Sequence, residues 1–438
     1  MSHLAKFGDS PYQGYAYGYP HKLAYRIIDP ALALADVWRD EEKHSLFLYV
    51  HLPFCEMRCG FCNLFTTPNP NGTLVGEYLE ALKRQMGMWG RALGGDARFT
   101  RVAFGGGTPT FLSEPELEEV FAATKSHFSV ETGAACSVEM SPGTVTPEKL
   151  QLLLREGMTR ASIGVQSFIE TETRQLGRPQ KIDRVHSALK LIRESGVAVM
   201  NIDLIYGVEG QTRETWRESL LAALDYHPEE IYLYPLYVRP LTGLDRIGRQ
   251  PTDQRLALYR DARDLLEERG YRQISMRLFR SNAYGSTSGP SYCCQEDGMV
   301  GLGAGARSYT RQVHFSTDYA VGQNGVREII ANFNHRAEAE MARVEYGCFL
   351  SGEEQKRRYV IKSLLRSEGL DLAAYRTYFA GEALEDFPQL AELEGLDLGS
   401  VKGQTLQLNR RGLELSDVIG PWLYSEAVSH LIREFELK

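Results

Sequence analysis

Between residues 45 and 236 the sequence alternates two hydrophobic periodicities. Apolar or β-branched runs at 45–52, 100–104, 135–140, 160–165, 199–205 and 230–236 read as buried strands. Between them, stretches at about 74–92, 114–127, 147–156, 182–195 and 213–225 carry apolar residues at helical spacing. Strands separated by helices pair in parallel through right-handed crossovers, so the chain is α/β. Six units fall short of the eight that close a barrel; the expectation is a partial barrel, open on one side, with its chemistry at the carboxyl ends of the strands. One more helix is expected over 253–271.

Three of the chain's seven cysteines, Cys55, Cys59 and Cys62, follow the first of these strands directly. Three thiolates can hold three irons of a [4Fe–4S] cube and leave the fourth open to a small ligand. A structural zinc ion would want a fourth Cys or His, and His51 is the only candidate in the immediate flank. Cys136, Cys293, Cys294 and Cys348 show no disulfide framework, and an oxygen-labile cluster suits a reducing compartment.

With 43% hydrophobic and 24% charged residues the chain can bury a sizeable core. Its net charge of −8 argues against a general nucleic-acid binder, which would need a basic face, and favours small molecules or peptides as substrates. Neither a signal-peptide core at the N-terminus nor an uninterrupted apolar stretch long enough for a membrane span is evident, so the reading is a cytoplasmic protein without membrane contact.

Two regions flank the alternating core. Residues 1–44 form an N-terminal arm in which Tyr12, Tyr15, Tyr17, Tyr19 and Tyr25 sit among glycines and prolines. Such an arm is either irregular chain packed on the barrel by aromatic burial or a cover over substrate. The barrel and its extension are assigned to 45–310. The remainder, 311–438, is read as a small winged-helix-like domain, with Glu353–Arg366 helical and a short hairpin around 401–408.

The Cys-x3-Cys-x2-Cys loop, with Phe61 before the last cysteine, resembles that of the radical S-adenosylmethionine (SAM) enzymes. More narrowly, Tyr49-Val-His51, Gly105-Gly-Gly-Thr-Pro-Thr110, Ser137-Val-Glu-Met-Ser-Pro-Gly143, Gly164-Val-Gln-Ser-Phe168, Asn201-Ile-Asp-Leu-Ile-Tyr-Gly207 and Gly301-Leu-Gly-Ala-Gly-Ala306 resemble, in register, the HemN-like family of oxygen-independent coproporphyrinogen III oxidase and its relatives. The resemblance implies a partial (β/α)6 radical SAM barrel in which Cys55, Cys59 and Cys62 carry the cluster. It places Gly106 and Glu139 with the cluster-bound SAM and counts Tyr49 among the cofactor-binding residues. Phe61, Gly107, Thr108, Gln166, Arg178 and Asp203 fall where the oxidase pattern contacts a second SAM. Arg178 suits a carboxylate and Asp203 an ammonium, the two charged ends of a methionyl group.

The departures from that pattern bear on the substrate. Leu64 stands where the oxidase pattern has a further cysteine, Cys293-Cys294 replaces an aromatic pair of many relatives, and Arg307 replaces a histidine. The resemblance leaves three readings: carbon modification, such as methylation, of a small molecule or peptide with one or two SAM; decarboxylation or methylation of a tetrapyrrole; and haem carriage by a chaperone. A flavodoxin or ferredoxin is the implied electron donor.

Overall fold

The computed structural model describes residues 10–16, 18–284 and 298–437. The expected strands are β1 (Leu46–Leu52), β2 (Phe99–Gly106), β3 (Val130–Met140), β4 (Arg160–Gln166), β5 (Val199–Tyr206) and β6 (Glu230–Pro235), each parallel to the next. In β1 every side chain but Tyr49 is buried. A parallel sheet is covered on both faces, which is why these strands read as continuous apolar runs rather than as alternation.

The crossovers are α1 (Gly72–Leu93), α2 (Glu114–His127), α3 (Pro147–Arg155), α4 (Ile182–Glu194) and α5 (Arg213–Leu224), followed by α6 (Arg255–Glu268), the helix expected over 253–271. The side chain of Asn71 starts α1 by accepting the Leu74 N–H at 2.9 Å. From there Val75, Tyr78, Leu79, Leu82, Met86, Trp89 and Leu93 turn inward at the three- and four-residue spacing of one helical face. Thr146 caps α3 in the same way, at 3.2 Å from the Lys149 N–H.

The sheet extends beyond six strands on both sides. Met299–Leu302 adds in parallel next to β1, and Arg307–Tyr309, Val313–Ser316, Arg343–Phe349 and Arg26–Ala33 continue it antiparallel. Past β6, Leu278–Ser281 and Tyr271–Gln273 form a second antiparallel wing. Among the described residues this makes one sheet of thirteen strands whose pairings do not close into a ring.

The arm is not irregular throughout, as the sequence suggested. Arg26–Ala33 is an edge strand that tolerates Pro30 because no further strand needs its missing N–H. Ahead of it Tyr19, Ala24 and Tyr25 are fully buried. The Tyr19 hydroxyl bonds Glu354 and the Ser425 hydroxyl, and Arg358 donates to the Tyr19 carbonyl at 2.8 Å. Tyr17 lies outside the described residues.

Tyr19 and Ala24 thus belong to a second core, built with Val360, Ile361, Leu364, Tyr375, Leu406 and Ile419. Around it lie a helix, Gly352–Leu364, and the hairpin Gly399–Lys402/Thr405–Leu408, which Leu370–Asp371 extends to three strands. Because Val313–Ser316 and Arg343–Phe349 belong to the main sheet, we place the start of this tail unit near residue 350 rather than at 311. A buried pair joins the two cores, with Arg277 bonding Asp417 at 2.9 and 2.6 Å.

Candidate functional site

The cysteine loop leaves the carboxyl end of β1 and is closed on itself. Phe54–Cys55 pairs in parallel with Thr67–Pro68, and the Asn69 N–H donates to the Cys55 carbonyl at 2.8 Å. The glycine run after β2 straps it from below: Gly107 N–H donates to Leu52 at 2.9 Å and Thr108 N–H to Phe54 at 2.7 Å. A Cβ on Gly107 would lie 2.5 Å from the Phe54 carbonyl oxygen, so only glycine admits this approach. Polar groups touch each sulfur: Thr108 Oγ1 lies 3.7 Å from Cys55 Sγ, Arg178 Nη1 3.3 Å from Cys59 Sγ, and Thr66 Oγ1 3.8 Å from Cys62 Sγ.

The donor chemistry fits a cluster. Burial pushes the Cys55 thiol up to about 12, and the charges of Cys62 and Cys59 add to the effect. Cys62 is raised by burial and then by Cys59. Two thiols raised in this way, Cys55 and Cys62, would be stabilised as thiolates by a polycationic group held between them and Cys59. A structural zinc site would want four ligands on one metal position, and the three cysteines supply three. A cube instead offers each thiolate its own iron. Nor is His51 available as a zinc ligand: its Nε2 is 2.9 Å from the Phe65 carbonyl oxygen and its Nδ1 3.2 Å from the Tyr49 hydroxyl. A carbonyl only accepts, so Nε2 carries the proton and Nδ1 accepts from Tyr49. Burial holds this ring neutral, its pKa lowered to about 4.

Behind the loop the barrel presents carboxylates. Glu139, at the carboxyl end of β3, accepts the Gly106 N–H at 3.0 Å and keeps its other oxygen free of protein hydrogen bonds among the described residues. Gly106 has φ of +107°, and the His51 ring occupies the space a Cβ would take. Burial raises Glu139 to about 7, opposed by the Gly106 bond and assisted by Asp203. Asp203, on β5, is raised to about 6 by burial, opposed by a 2.8 Å bond from Asn201. Two carboxyls raised in this way would gain from a nearby cation or hydroxyl donor.

Tyr49, Phe61, Cys62, Gly106, Glu139, Gln166 and Asp203 all line one cavity of about 1760 Å³. Gln166 ends β4 at a register irregularity with φ of +71°, a conformation rare for a side-chain-bearing residue and characteristic of functional positions. Arg178, Gly107 and Thr108 are not part of that lining. Arg178 is instead occupied with Cys59 and with the Gly164 carbonyl, at 2.8 Å, so it touches the cysteine loop directly. Cys293 and Cys294 lie outside the described residues. Lys22, Arg239, Tyr232, Tyr234 and Arg277 also line the cavity and escaped the sequence reading, because no local pattern marks residues that meet only in the fold.

Known proteins resemble this chain in sequence and in fold. Residues 49–223 match the radical SAM superfamily. An oxygen-independent coproporphyrinogen III oxidase of Paracoccus denitrificans is 31% identical over 54% of this chain and 53% of its own length. A heme chaperone, HemW, of Bacillus subtilis is 31% identical over 60% of this chain and 70% of its own length. The match thus spans about half of the Paracoccus relative. The solved structure of coproporphyrinogen III oxidase (HemN) from Escherichia coli, described as a radical SAM enzyme, superposes with a TM-score of 0.80 over 97% of this chain and 98% of that one. At 22% identity that likeness speaks for the fold alone. No helix among the described residues is long and apolar enough to cross a membrane.

Proposed function

We propose that this chain, which belongs to the HemN-like family of the radical SAM superfamily, cleaves SAM reductively and directs the resulting radical at a tetrapyrrole. The observation that carries the proposal is convergence: Cys62, Gly106, Glu139 and Asp203 open into one cavity of about 1760 Å³. A single small ligand typically occupies about 300–1,000 Å³. The space suits a cofactor and a large substrate together.

When bound, a reduced cluster held by Cys55, Cys59 and Cys62 supplies one electron for breaking the sulfur–C5′ bond of SAM, giving methionine and a 5′-deoxyadenosyl radical. The chain's own residues hold and orient. The free oxygen of Glu139 can accept a hydrogen bond from an ammonium or hydroxyl group. Gln166 and Asp203 offer a second set of polar groups, which we assign to a further methionyl group. The aromatic walls Tyr232 and Tyr234, stacked with centroids 5.8 Å apart, exclude water and offer flat contact to a macrocycle. A reducing, cytoplasmic setting and a flavodoxin- or ferredoxin-type donor belong to the same proposal.

Methylation of a peptide or small natural product finds no support among the relatives described above, which are named as oxidases and a haem chaperone. The decisive experiment is anaerobic reconstitution followed by assay of 5′-deoxyadenosine with SAM and dithionite. About four irons per chain and production of 5′-deoxyadenosine are expected, both lost in Cys55→Ala, Cys59→Ala and Cys62→Ala. Retention of iron by the triple variant would overturn the reading. The Bacillus relative favours haem carriage as the second reading. Tight haem binding with no SAM cleavage in the presence of either porphyrinogen or haem would select it.

A further inference from the structure

Gln166 is held in a conformation that its own residue type disfavours. The Ser167 N–H donates to the Val165 carbonyl at 2.9 Å, so Gln166, with φ of +71°, sits at the apex of a γ-turn of positive φ, the rarer and strained form. Such a conformation persists only where the surroundings over-determine it. Gln180 pins the carbonyl side of the turn, its amide donating to Val165 at 2.8 Å and to Ser167 at 3.3 Å. What fixes the other side is a buried polar network centred on Glu172, a residue that does not line the cavity.

Glu172 is 3% exposed and lies in the short helix Glu170–Gln175. One of its oxygens accepts the Ser167 hydroxyl at 2.6 Å and the Gln211 amide at 3.0 Å; the other accepts the Thr215 hydroxyl at 2.6 Å. Ser167 in turn accepts the Ile169 N–H at 3.0 Å, and Ser219, on α5, accepts the Phe168 N–H at 3.1 Å. The two N–H groups that follow the turn are thereby tied down. Gln211 carries the network to the next strand, where its side-chain oxygen accepts the Gly207 N–H at 2.7 Å. Glu172 thus joins the end of β4, which bears Gln166, to the end of β5, which bears Asp203. An apolar side chain would fill this space without the desolvation cost of a carboxyl. What the carboxyl adds is direction, because donors from three elements meet on one group of fixed geometry.

We propose that Glu172 is a positioning residue of the cavity: through Ser167 it holds Gln166 in the γ-turn, and through Gln211 it sets the spacing between Gln166 and Asp203. The choice of ligand rests on the assignment of those two residues to a further methionyl group. The strain does not, since it belongs to the chain without ligand.

Two measurements on the full, anaerobically reconstituted chain test it. In the first, thermal midpoints are read without ligand. Glycine adopts positive φ freely and alanine does not, so Gln166→Gly is expected to melt about 1 °C or more above Gln166→Ala, the reverse of their usual order. In Glu172→Ala the turn is released, and that advantage should vanish. An equal advantage with and without Glu172, or none with it, would overturn the proposal. In the second, SAM is titrated to saturation. Uptake of the second equivalent is expected to weaken up to about tenfold in Gln166→Ala and as much in Glu172→Ala, with no further loss when the two are combined and with iron content unchanged. Ser167→Ala cuts the same link by a smaller change; it should match Glu172→Ala, and it replaces that variant in both measurements if Glu172→Ala does not fold. Glu172→Gln keeps an oxygen toward Ser167 and Gln211 and can donate to the Thr215 hydroxyl, so uptake should be restored. Losses that add in the double variant, or unchanged uptake in Glu172→Ala and Ser167→Ala, would overturn the positioning role. One equivalent in wild type together with the expected order of midpoints would keep Glu172 in its role and sink the second SAM instead.

Discussion

Gly60 and Gly177 meet backbone to backbone: a Cβ built on Gly177 would lie 2.8 Å from the Gly60 Cα, and one built on Gly60 2.8 Å from the Leu176 carbonyl oxygen. The Gly60 N–H donates to Leu176 at 3.0 Å, so the stretch between Cys59 and Cys62 is seated in a slot that only hydrogen atoms fit. Gly177→Ala should push the loop outward, lower iron content after reconstitution to less than half, and cost on the order of 1–3 kcal/mol by overpacking. Gly177 also has φ of +62°, so strain alone must be excluded. Gly196 supplies the control, with φ of +76° and open space around its Cβ position. Gly196→Ala should destabilise the chain without touching iron content. Equal iron loss in both variants would remove the slot from the account.

The barrel was legible in the sequence because parallel strands covered on both faces leave uninterrupted apolar runs, as Leu46–Leu52 and Val199–Tyr206 do. The antiparallel wings were not. Arg26–Ala33 is an edge strand with one buried residue and a proline, and Arg307–Tyr309 is too short to show a period. The site divides in the same way. Cys55, Gly106 and Glu139 stand in contiguous motifs, each closing a strand, so local spacing reveals them. Lys22 and Arg307 are separated by most of the chain and come together only because the arm docks on the tail while the wing folds back beside β1. Arg178 was legible as a charge, but its contact with Cys59 was not, since that depends on where the turn after Glu170–Gln175 lands.

Glu139 makes a pH prediction with a definite sign. Its carboxyl is raised to about 7, chiefly by burial, above the roughly 4.3 of an unfolded glutamate. An acid raised in the folded state binds its proton more tightly there. Stability therefore falls as pH rises from about 4 to 7, and the full cost of the buried carboxylate is present above that window. Asp203, raised to about 6, acts with the same sign. In protein free of SAM, Glu139→Gln should gain roughly 1–2 kcal/mol at about pH 8, after allowance for the solvent that reaches the cavity, and only about a third of that at about pH 5. SAM affinity of the same variant should drop roughly ten- to a hundredfold with iron content unchanged. Chemical denaturation at the two pH values checks the first part; a gain as large at the lower pH would assign the effect to something other than charge.

Arg277 and Asp417 carry the junction between the barrel and the tail. Their side chains are 5% and 1% exposed, the Arg277 guanidinium lies 3.6 Å from the centre of the Tyr15 ring, and the Asp417 carbonyl accepts the Gly14 N–H at 3.1 Å. Arm, barrel and tail thus share one pair. Asp417→Ala leaves a buried guanidinium without its counter-charge and should cost about 3–5 kcal/mol. Arg277→Met with Asp417→Leu removes both charges and should recover most of that loss. The measurement is again denaturation, followed alongside proteolysis of the arm, which should become cleavable in Asp417→Ala. A loss below about 1 kcal/mol would mean that water reaches the pair.

The second SAM is the prediction with most at stake. Gln166 and Asp203 line the cavity, and neither the Gln166 amide nor the second oxygen of Asp203 has a protein hydrogen bond among the described residues, so both are open to a ligand. Arg178 cannot report on that ligand cleanly, because its guanidinium also contacts Cys59. Arg178→Ala is expected to lower iron content as well as SAM binding. The informative variant is therefore Asp203→Asn combined with Gln166→Ala, which leaves every contact of the cysteine loop in place. Anaerobic titration to saturation should give two equivalents of SAM per wild-type chain and one in this variant, with iron content and cleavage of the first SAM preserved. A single equivalent in wild type would refute the pocket. Gln166 and Asp203 would then belong to the substrate, as partners for its ring N–H groups, and their loss would weaken porphyrin binding instead of SAM stoichiometry.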